Sequence, residues 1–107
     1  MSKTTKQDAR GDCYSANGSK LLQMDKPEGW ALVHAIISSN GVRMGHCWLD
    51  YGGEVFDYSN GMEMRSTVEV WYHHYRVEKT WRYTNFEYLA LSDKHRGPFE
   101  PELLALR

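Results

Sequence analysis

The chain has 107 residues, of which 41% are hydrophobic and 25% are charged, and its formal net charge is −1. This length and composition predict one globular domain, spanning residues 1–107, with one modest hydrophobic core. The near-neutral charge excludes the basic surface on which nucleic-acid binding depends, so we expect no nucleic-acid partner. No apolar run approaches the roughly 20 residues that span a bilayer, so we expect no membrane partner.

The first ten residues are polar and lack the apolar segment of a signal peptide. We therefore interpret residues 1–10 as a flexible arm and expect a cytoplasmic protein, in a compartment where thiols stay reduced. The two cysteines, Cys13 and Cys47, are then expected to be free, although the sequence also allows a disulfide between them. The chain has no Cys-x-x-Cys pair, so we expect no structural zinc site.

A helix is predicted near the N-terminus. Asp12 is its candidate N-cap, because an aspartate side chain accepts hydrogen bonds from free backbone N–H groups. The helix covers residues 13 to about 24 and carries Cys13 at its start. Gly18 weakens this helix by about 1 kcal/mol relative to alanine. Residues 26–29, Lys-Pro-Glu-Gly, form the loop that follows.

Three antiparallel strands joined by two tight turns are predicted next. The turns lie at Asn40-Gly41 and Gly52-Gly53, whose residues tolerate the positive φ that tight hairpins need. The strands cover residues 30–38, 43–51 and 54–58. Because the first strand is a nearly continuous apolar run, we expect it to be buried.

The pattern then changes to a helix followed by a strand. Ser66 or Thr67 is the predicted N-cap of a helix that ends near residue 75, and residues 77–83 form a further strand. Taken together, these elements predict an α+β fold. In this fold the N-terminal helix that carries Cys13 packs on an antiparallel β-sheet.

A last helix is predicted over residues 85–94, with an apolar tail that docks on the core. Thr84 caps this helix, and Gly97-Pro98 ends it. The spacing of its apolar residues predicts an inward face made of Phe86, Leu89 and Ala90.

The two turns also predict how the three central strands pair. They place Ala35 opposite His46 and Trp48 opposite Asp57, so that His46 and Trp48 share one face of the sheet. Asp57 is then the diagonal neighbour of His46, with Cα atoms roughly 7–8 Å apart, which allows a carboxylate–imidazole hydrogen bond. Trp48 is expected to pack beside His46 and to shield this pair from water. His34 is expected on the opposite face, in a structural role.

Cys13 has the features of a nucleophile. The partial positive charge at a helix start favours the thiolate, as does a nearby imidazole. His46 would act as base and then as acid, and Asp57 would fix its orientation. The backbone N–H of Cys13 is a candidate oxyanion donor.

Two segments carry a resemblance to a known superfamily. Residues 45–57, Gly-His-Cys-Trp-Leu-Asp-Tyr-Gly-Gly-Glu-Val-Phe-Asp, resemble the His-Ala-Trp-x-Glu…Gly-x-Val-x-Asp signature of transglutaminase-like, papain-like cysteine enzymes. Residues 11–16, Gly-Asp-Cys-Tyr-Ser-Ala, resemble the Gly-x-Cys helix start of the same superfamily. With Leu-Val-His at 32–34 and Gly-Pro-Phe at 97–99, the chain is also similar to small phage and bacterial proteins of this type.

The chain departs from the superfamily pattern at two positions and in size. Cys47 stands where alanine is usual, and Asp50 stands where glutamate is common. The chain is also much shorter than full transglutaminases, so a covering domain or long substrate cleft is not expected.

The resemblance implies a minimal papain-like or transglutaminase-like core with a Cys13, His46 and Asp57 triad. The implied function is that of a cysteine-dependent hydrolase or acyl transferase acting on an amide, isopeptide or thioester bond. Its substrate would be a peptide, a protein or a small amide, and it would need no metal and no organic cofactor. Papain-like enzymes carry a glutamine six residues before the nucleophile, which makes Gln7 a second candidate oxyanion donor.

Two other hypotheses remain open. The first is a catalytically silent binding module of the same fold, for example a phage protein that engages a host protein. The second is a metal site made of Cys13, His46 and Asp57, with or without His34 as a further ligand. The sequence leaves the substrate, the choice between hydrolysis and transfer, and the oligomeric state open.

Overall fold

The structure is a computed structural model that describes residues 13–92 and 99–106. Several predictions concern residues outside these ranges, namely the N-terminal arm with Gln7, the N-cap Asp12, and Gly97-Pro98 as the end of the last long helix. Helix α1 covers residues 13–22 within the described part of the chain. The elements that follow are β1 (Ala31–Ser39), β2 (Val42–Tyr51), β3 (Glu54–Asp57), a 3-10 turn (Ser59–Gly61), β4 (Met64–Thr67), α2 (Val68–Tyr75), β5 (Lys79–Tyr83), α3 (Asn85–Ser92) and α4 (Pro101–Leu104).

The five strands of the described residues form one antiparallel sheet in the order β4-β3-β2-β1-β5. The fold is therefore α+β, with the N-terminal helix packed on the sheet, as the sequence predicts. The turn residues Asn40 and Gly41 have φ values of 52° and 78°. Because they occupy the left-handed region, the first hairpin closes tightly and its register follows the prediction, with Ala35 opposite His46.

The hydrophobic core lies on both faces of the sheet. One cluster, the α1-side core, includes Leu21, Leu32, Cys47 and Leu49 and is completed by α3. The other, the α2-side core, groups Val33, Ala35, Ile37, Trp48, Val55 and Trp71. Strand β1 contributes alternate residues to both clusters, which explains why its sequence is apolar almost throughout.

The two helix caps predicted in the second half of the chain are present. The Thr67 Oγ accepts a hydrogen bond of 3.3 Å from the Val70 N–H, so Thr67 is the N-cap of α2. The Thr84 Oγ accepts one of 3.2 Å from the Glu87 N–H, and the Glu87 carboxylate accepts one of 2.8 Å from the Thr84 N–H. This reciprocal pair is a capping box, and it fixes where α3 begins.

The predicted inward face of α3 is wrong. Phe86 and Leu89 are 78% and 48% exposed, Ala90 is exposed as well, and the buried residue of α3 is Tyr88. Gly18 explains the difference, because a Cβ atom at Gly18 would lie only 1.9 Å from the Tyr88 Oη. The glycine that weakens α1 as a helix therefore makes room for an aromatic side chain of α3, which turns Tyr88 towards the sheet.

The C-terminal tail docks as predicted. Leu103 of α4 is buried, and Phe99 packs against the α1-side core. Strand β4 is an element that the sequence patterns do not reveal, because its residues are largely exposed and β3 is its one partner among the described strands. In the described residues, no helix has the length and apolar character needed to cross a membrane.

Candidate active site

The structure brings Cys13, His46 and Asp57 together. Cys13 is the first described residue of α1, and its side chain hydrogen-bonds the His46 ring. The His46 Nε2 lies 2.9 Å from the Asp57 Oδ2. Because Nε2 is engaged with Asp57, Nδ1 is the ring nitrogen that remains for Cys13. A sulfur, an imidazole and a carboxylate from three separate segments thus form one continuous chain of contacts.

A gap in the sheet explains how Cys13 reaches His46. Cys13 belongs to the α1-side core, whereas His46 contacts aromatic residues of the α2-side core. The pairing of β2 with β3 ends at Leu49 and Phe56, so the preceding residues of β2 have no partner in β3. Helix α1 approaches the sheet at this point and bonds the backbone carbonyl of Cys47. The contact between Cys13 and His46 is therefore made at this gap.

The carboxylate of Asp57 is buried and held by several donors. Its Oδ1 accepts hydrogen bonds from the Ser59 N–H at 3.0 Å, from the Ser59 hydroxyl and from the Asn17 amide at 3.0 Å. These bonds leave Oδ2 for His46. The predicted diagonal relation between His46 and Asp57 is consistent with this contact, since the next pair in the observed register would be Trp48 and Asp57.

The environment of the pair stabilises opposite charges on His46 and Asp57. Burial lowers the pKa of His46, but its hydrogen bonds to Asp57 and Cys13 and the charges on these groups outweigh burial and raise its pKa to about 9. Burial raises the pKa of Asp57, but the bond and charge of His46, together with the bonds from Ser59 and Asn17, lower it to about 2. At neutral pH the site therefore holds an imidazolium against a carboxylate.

Aromatic side chains surround the imidazole. The ring centroids of Trp48, Trp71 and Tyr75 lie 6.0, 6.4 and 5.9 Å from that of His46. Trp48 is fully buried beside His46, in the position that the register predicts. The side chain of His46 is 19% exposed, so the imidazole remains in contact with solvent. The aromatic residues limit the access of water to the imidazole without closing the site.

Asn17 is a site residue that the sequence patterns did not identify. It is fully buried, and its amide contacts the segments that carry all three predicted triad residues. One signal was present in the sequence. Asparagine is unfavourable inside a helix because its side chain competes for backbone hydrogen bonds, and this one lies one turn after the predicted nucleophile. An asparagine at such a position indicates a specific buried polar role.

The sequence matches no family model, no curated protein and no solved structure. The resemblance to transglutaminase-like and papain-like enzymes therefore stays a prediction.

Three other residues from the sequence analysis bear on the site: Gln7, Cys47 and His34. Gln7 lies outside the described residues. Both cysteines are free thiols, and Cys47 is fully buried in the α1-side core, where burial is the largest cause that raises its pKa. Among residues 13–92 and 99–106, no group of three His, Cys, Asp or Glu side chains is arranged to hold a metal ion.

His34 is on the other face of the sheet from His46, as the register predicts. It is fully buried and contacts the rings of Tyr14, Tyr83 and Phe99 at 4.9 to 5.1 Å. Neither of its ring nitrogens has a hydrogen-bond partner among residues 13–92 and 99–106, and burial lowers its pKa to about 4. His34 is therefore a neutral core residue near neutral pH, which agrees with the predicted structural role.

Proposed function

We propose that the protein is a cysteine-dependent hydrolase or acyl transferase whose catalytic residues are Cys13, His46 and Asp57. The observation that supports this proposal is the continuous contact from the Cys13 side chain through His46 to the buried carboxylate of Asp57. Nucleophilic catalysis by cysteine needs this combination of a thiolate, an acid–base group beside it and a third group that orients the acid–base group.

The first half of the reaction forms an acyl-enzyme. The raised pKa of His46 makes it an imidazolium at neutral pH, so His46 serves first as the cation that stabilises the Cys13 thiolate. The thiolate attacks the carbonyl carbon of the substrate and forms a C–S bond. As the bond to the leaving group breaks, His46 gives the Nδ1 proton to the leaving nitrogen, oxygen or sulfur. This order differs from the sequence-based expectation, in which His46 acts first as base.

The second half of the reaction releases the acyl group. Neutral His46 now accepts a proton from water or an amine, which attacks the thioester carbon. The C–S bond breaks, the electron pair returns to the Cys13 sulfur, and the imidazolium is restored. Water gives hydrolysis, and an amine gives acyl transfer. Throughout the cycle Asp57 keeps the Nε2 proton of His46 in place, so that Nδ1 stays directed at the reacting atoms.

The proposed substrate is a peptide, a protein or a small molecule with an amide, isopeptide or thioester bond. No part of the proposed chemistry calls for a metal or an organic cofactor. We also propose a cytoplasmic location, because both thiols are free and the mechanism requires Cys13 to stay reduced.

Trapping of the acyl-enzyme tests this proposal. Wild-type protein is mixed with a panel of activated esters and thioesters at pH 7, quenched in acid and analysed by intact-mass spectrometry and peptide mapping. We expect an acyl adduct on Cys13 that disappears in Cys13→Ala and is strongly reduced in His46→Gln. Cys47→Ala is the matched control, because it removes the other thiol and should keep the adduct. An adduct level in wild type equal to that in Cys13→Ala would contradict the proposal.

One observation favours a binding module as the second candidate function. Cys13 is only 3% exposed, which restricts the approach of a substrate carbonyl to its sulfur. Labelling with probes of increasing size separates the two functions. An enzyme should react both with iodoacetamide and with bulkier acyl-type probes in a His46-dependent way. A binding module should show no turnover of any panel substrate and no dependence of Cys13 labelling on His46.

A further inference from the structure

We propose that Asn17 is a positioning residue that holds Cys13, His46 and Asp57 in their reactive arrangement. This inference rests on the function proposed above and assigns a role to a residue that takes no part in the chemical steps. The observation behind it is that one buried amide bonds all three segments that carry the triad.

The contacts of the Asn17 side chain join these three segments. Its Nδ2 donates to the Cys13 carbonyl oxygen at 2.9 Å, one turn earlier in α1. The same nitrogen donates to the Cys47 carbonyl oxygen at 3.1 Å, in the residue directly after His46. It also donates to the Asp57 Oδ1 at 3.0 Å. The Asn17 Oδ1 accepts from the Tyr58 N–H at 2.9 Å, in the residue directly after Asp57.

An asparagine fits this position better than its closest relatives in size. The carboxamide has two donor hydrogens and one acceptor oxygen. Three acceptors surround Nδ2, so one of its hydrogens is shared between two of them, and the oxygen accepts from Tyr58. Aspartate would lose the donors and add a second buried carboxylate beside Asp57. Leucine has a similar shape but would leave buried polar groups of all three segments without this partner, which costs free energy. Glutamine is one methylene longer and would need the closely packed surroundings to move.

The positioning effect follows from which oxygen of Asp57 is held. Asn17 and Ser59 bond Oδ1, so the carboxylate cannot rotate freely, and Oδ2 stays directed at His46. The same amide holds the first described turn of α1 against β2. Asn17 therefore controls both distances on which the proposed chemistry depends, the one between sulfur and imidazole and the one between imidazole and carboxylate. A misplacement of reacting groups by about 1 Å can cost roughly 100-fold in rate.

The test compares Asn17→Ser and Asn17→Ala with the matched control Leu21→Val. Leu21 lies one turn further along α1, is fully buried in the α1-side core and has a side chain without hydrogen-bonding groups. The readouts are the rate of Cys13 labelling by iodoacetamide at pH 6, the full pH profile of that rate, and stability in urea. We expect Cys13 labelling at pH 6 to be about 10–100-fold slower in the Asn17 variants than in wild type. The control should be less stable but should keep the labelling rate of wild type and its pH profile.

A second measurement needs no variant. In the wild-type protein, NMR should show that the side-chain amide protons of Asn17 exchange with deuterium as slowly as backbone amides of β1. Fast exchange of these protons, with the amides of β1 still protected, would overturn the inference even if the Asn17 variants do not fold.

The outcomes separate the inference from the proposed function. If wild-type Cys13 labels no faster at pH 6 than an ordinary thiol, the proposed function fails. If the wild type labels fast and the folded Asn17→Ser protein labels equally fast, only the role of Asn17 is refuted. Leu21→Val and Asn17→Ser are also compared at equal loss of stability. If Leu21→Val then slows Cys13 labelling as much as Asn17→Ser does, Asn17 has only a structural role and the inference is refuted.

Discussion

Replacing His46 by glutamine is expected to change how the stability of the protein depends on pH. The pKa of His46 is about 9 in the folded protein, against 6.5 as its ordinary value. The folded state therefore binds a proton more tightly than the unfolded chain does. The resulting stabilisation is fully present below pH 6.5 and is lost as the pH rises towards 9. His46→Gln has no titrating group at this position and should lack this loss.

The size of the effect follows from the two pKa values. Each pKa unit corresponds to about 1.36 kcal/mol, so His46 should contribute about 3 kcal/mol at pH 6 that is absent above pH 9. The His46 side chain is only 19% exposed, so solvent screens the interaction weakly. A contribution of this size is a large part of the total stability of a typical small domain.

Urea denaturation between pH 6 and pH 9 measures this contribution in Cys13→Ser and in Cys13→Ser/His46→Gln. Cys13 is replaced in both proteins because its ionisation depends on His46, so a thiol in the site would titrate differently with and without the imidazole. Groups that titrate equally in both proteins cancel, so the difference between the two unfolding free energies reports His46. We expect this difference to shrink by up to about 3 kcal/mol over the range, since part of the rise in the pKa of His46 comes from Cys13. Parallel stability curves for the two proteins would refute the assignment of a raised pKa to His46, and with it the imidazolium in the proposed mechanism.

Three further substitutions give distinct expected results. Because burial depresses the pKa of His34, protonation of this residue should lower the unfolding free energy of wild type by about 2 kcal/mol between pH 7 and pH 5. His34→Phe should lack this loss of stability in urea denaturation. Equal acid sensitivity of the two proteins would contradict the depressed pKa of His34. Gly18→Ala should reduce stability by about 1–3 kcal/mol because of the clash with Tyr88, although alanine favours the helix. A stabilised variant would show that Tyr88 moves freely. Cys47→Ala should leave the iodoacetamide labelling rate of Cys13 at pH 6 unchanged, and a large drop would place Cys47 in the site.

The sequence predicted the central hairpins because their determinants are local. Asn40-Gly41 and Gly52-Gly53 adopt the positive φ values that their residue types allow, and each turn sets the register of the strands beside it. Once the register is known, the side of the sheet on which His46 lies follows from the alternation of side chains. This is why the proximity of His46 and Asp57 could be predicted without any structure.

Features that depend on contacts between distant segments could not be predicted in the same way. The inward face of α3 depends on the absence of a Cβ at Gly18, some seventy residues earlier in the chain. Strand β5 lies beside β1, and the short strand β4 pairs with β3. No local sequence pattern encodes either of these pairings. Asn17 is recognisable as a site residue only when α1, β2 and β3 are seen together, since its four partners come from all three segments.

The pH profile of Cys13 alkylation tests the central claim most directly. Iodoacetamide labelling of wild type and His46→Gln is followed from pH 5 to pH 10, with peptide mapping to separate Cys13 from Cys47. The proposed thiolate–imidazolium pair predicts fast Cys13 labelling already at pH 6 in wild type. In His46→Gln, labelling should rise only in the alkaline range in which an ordinary thiol ionises. Two superimposable profiles, both rising only in that alkaline range, would contradict an activated nucleophile at this site.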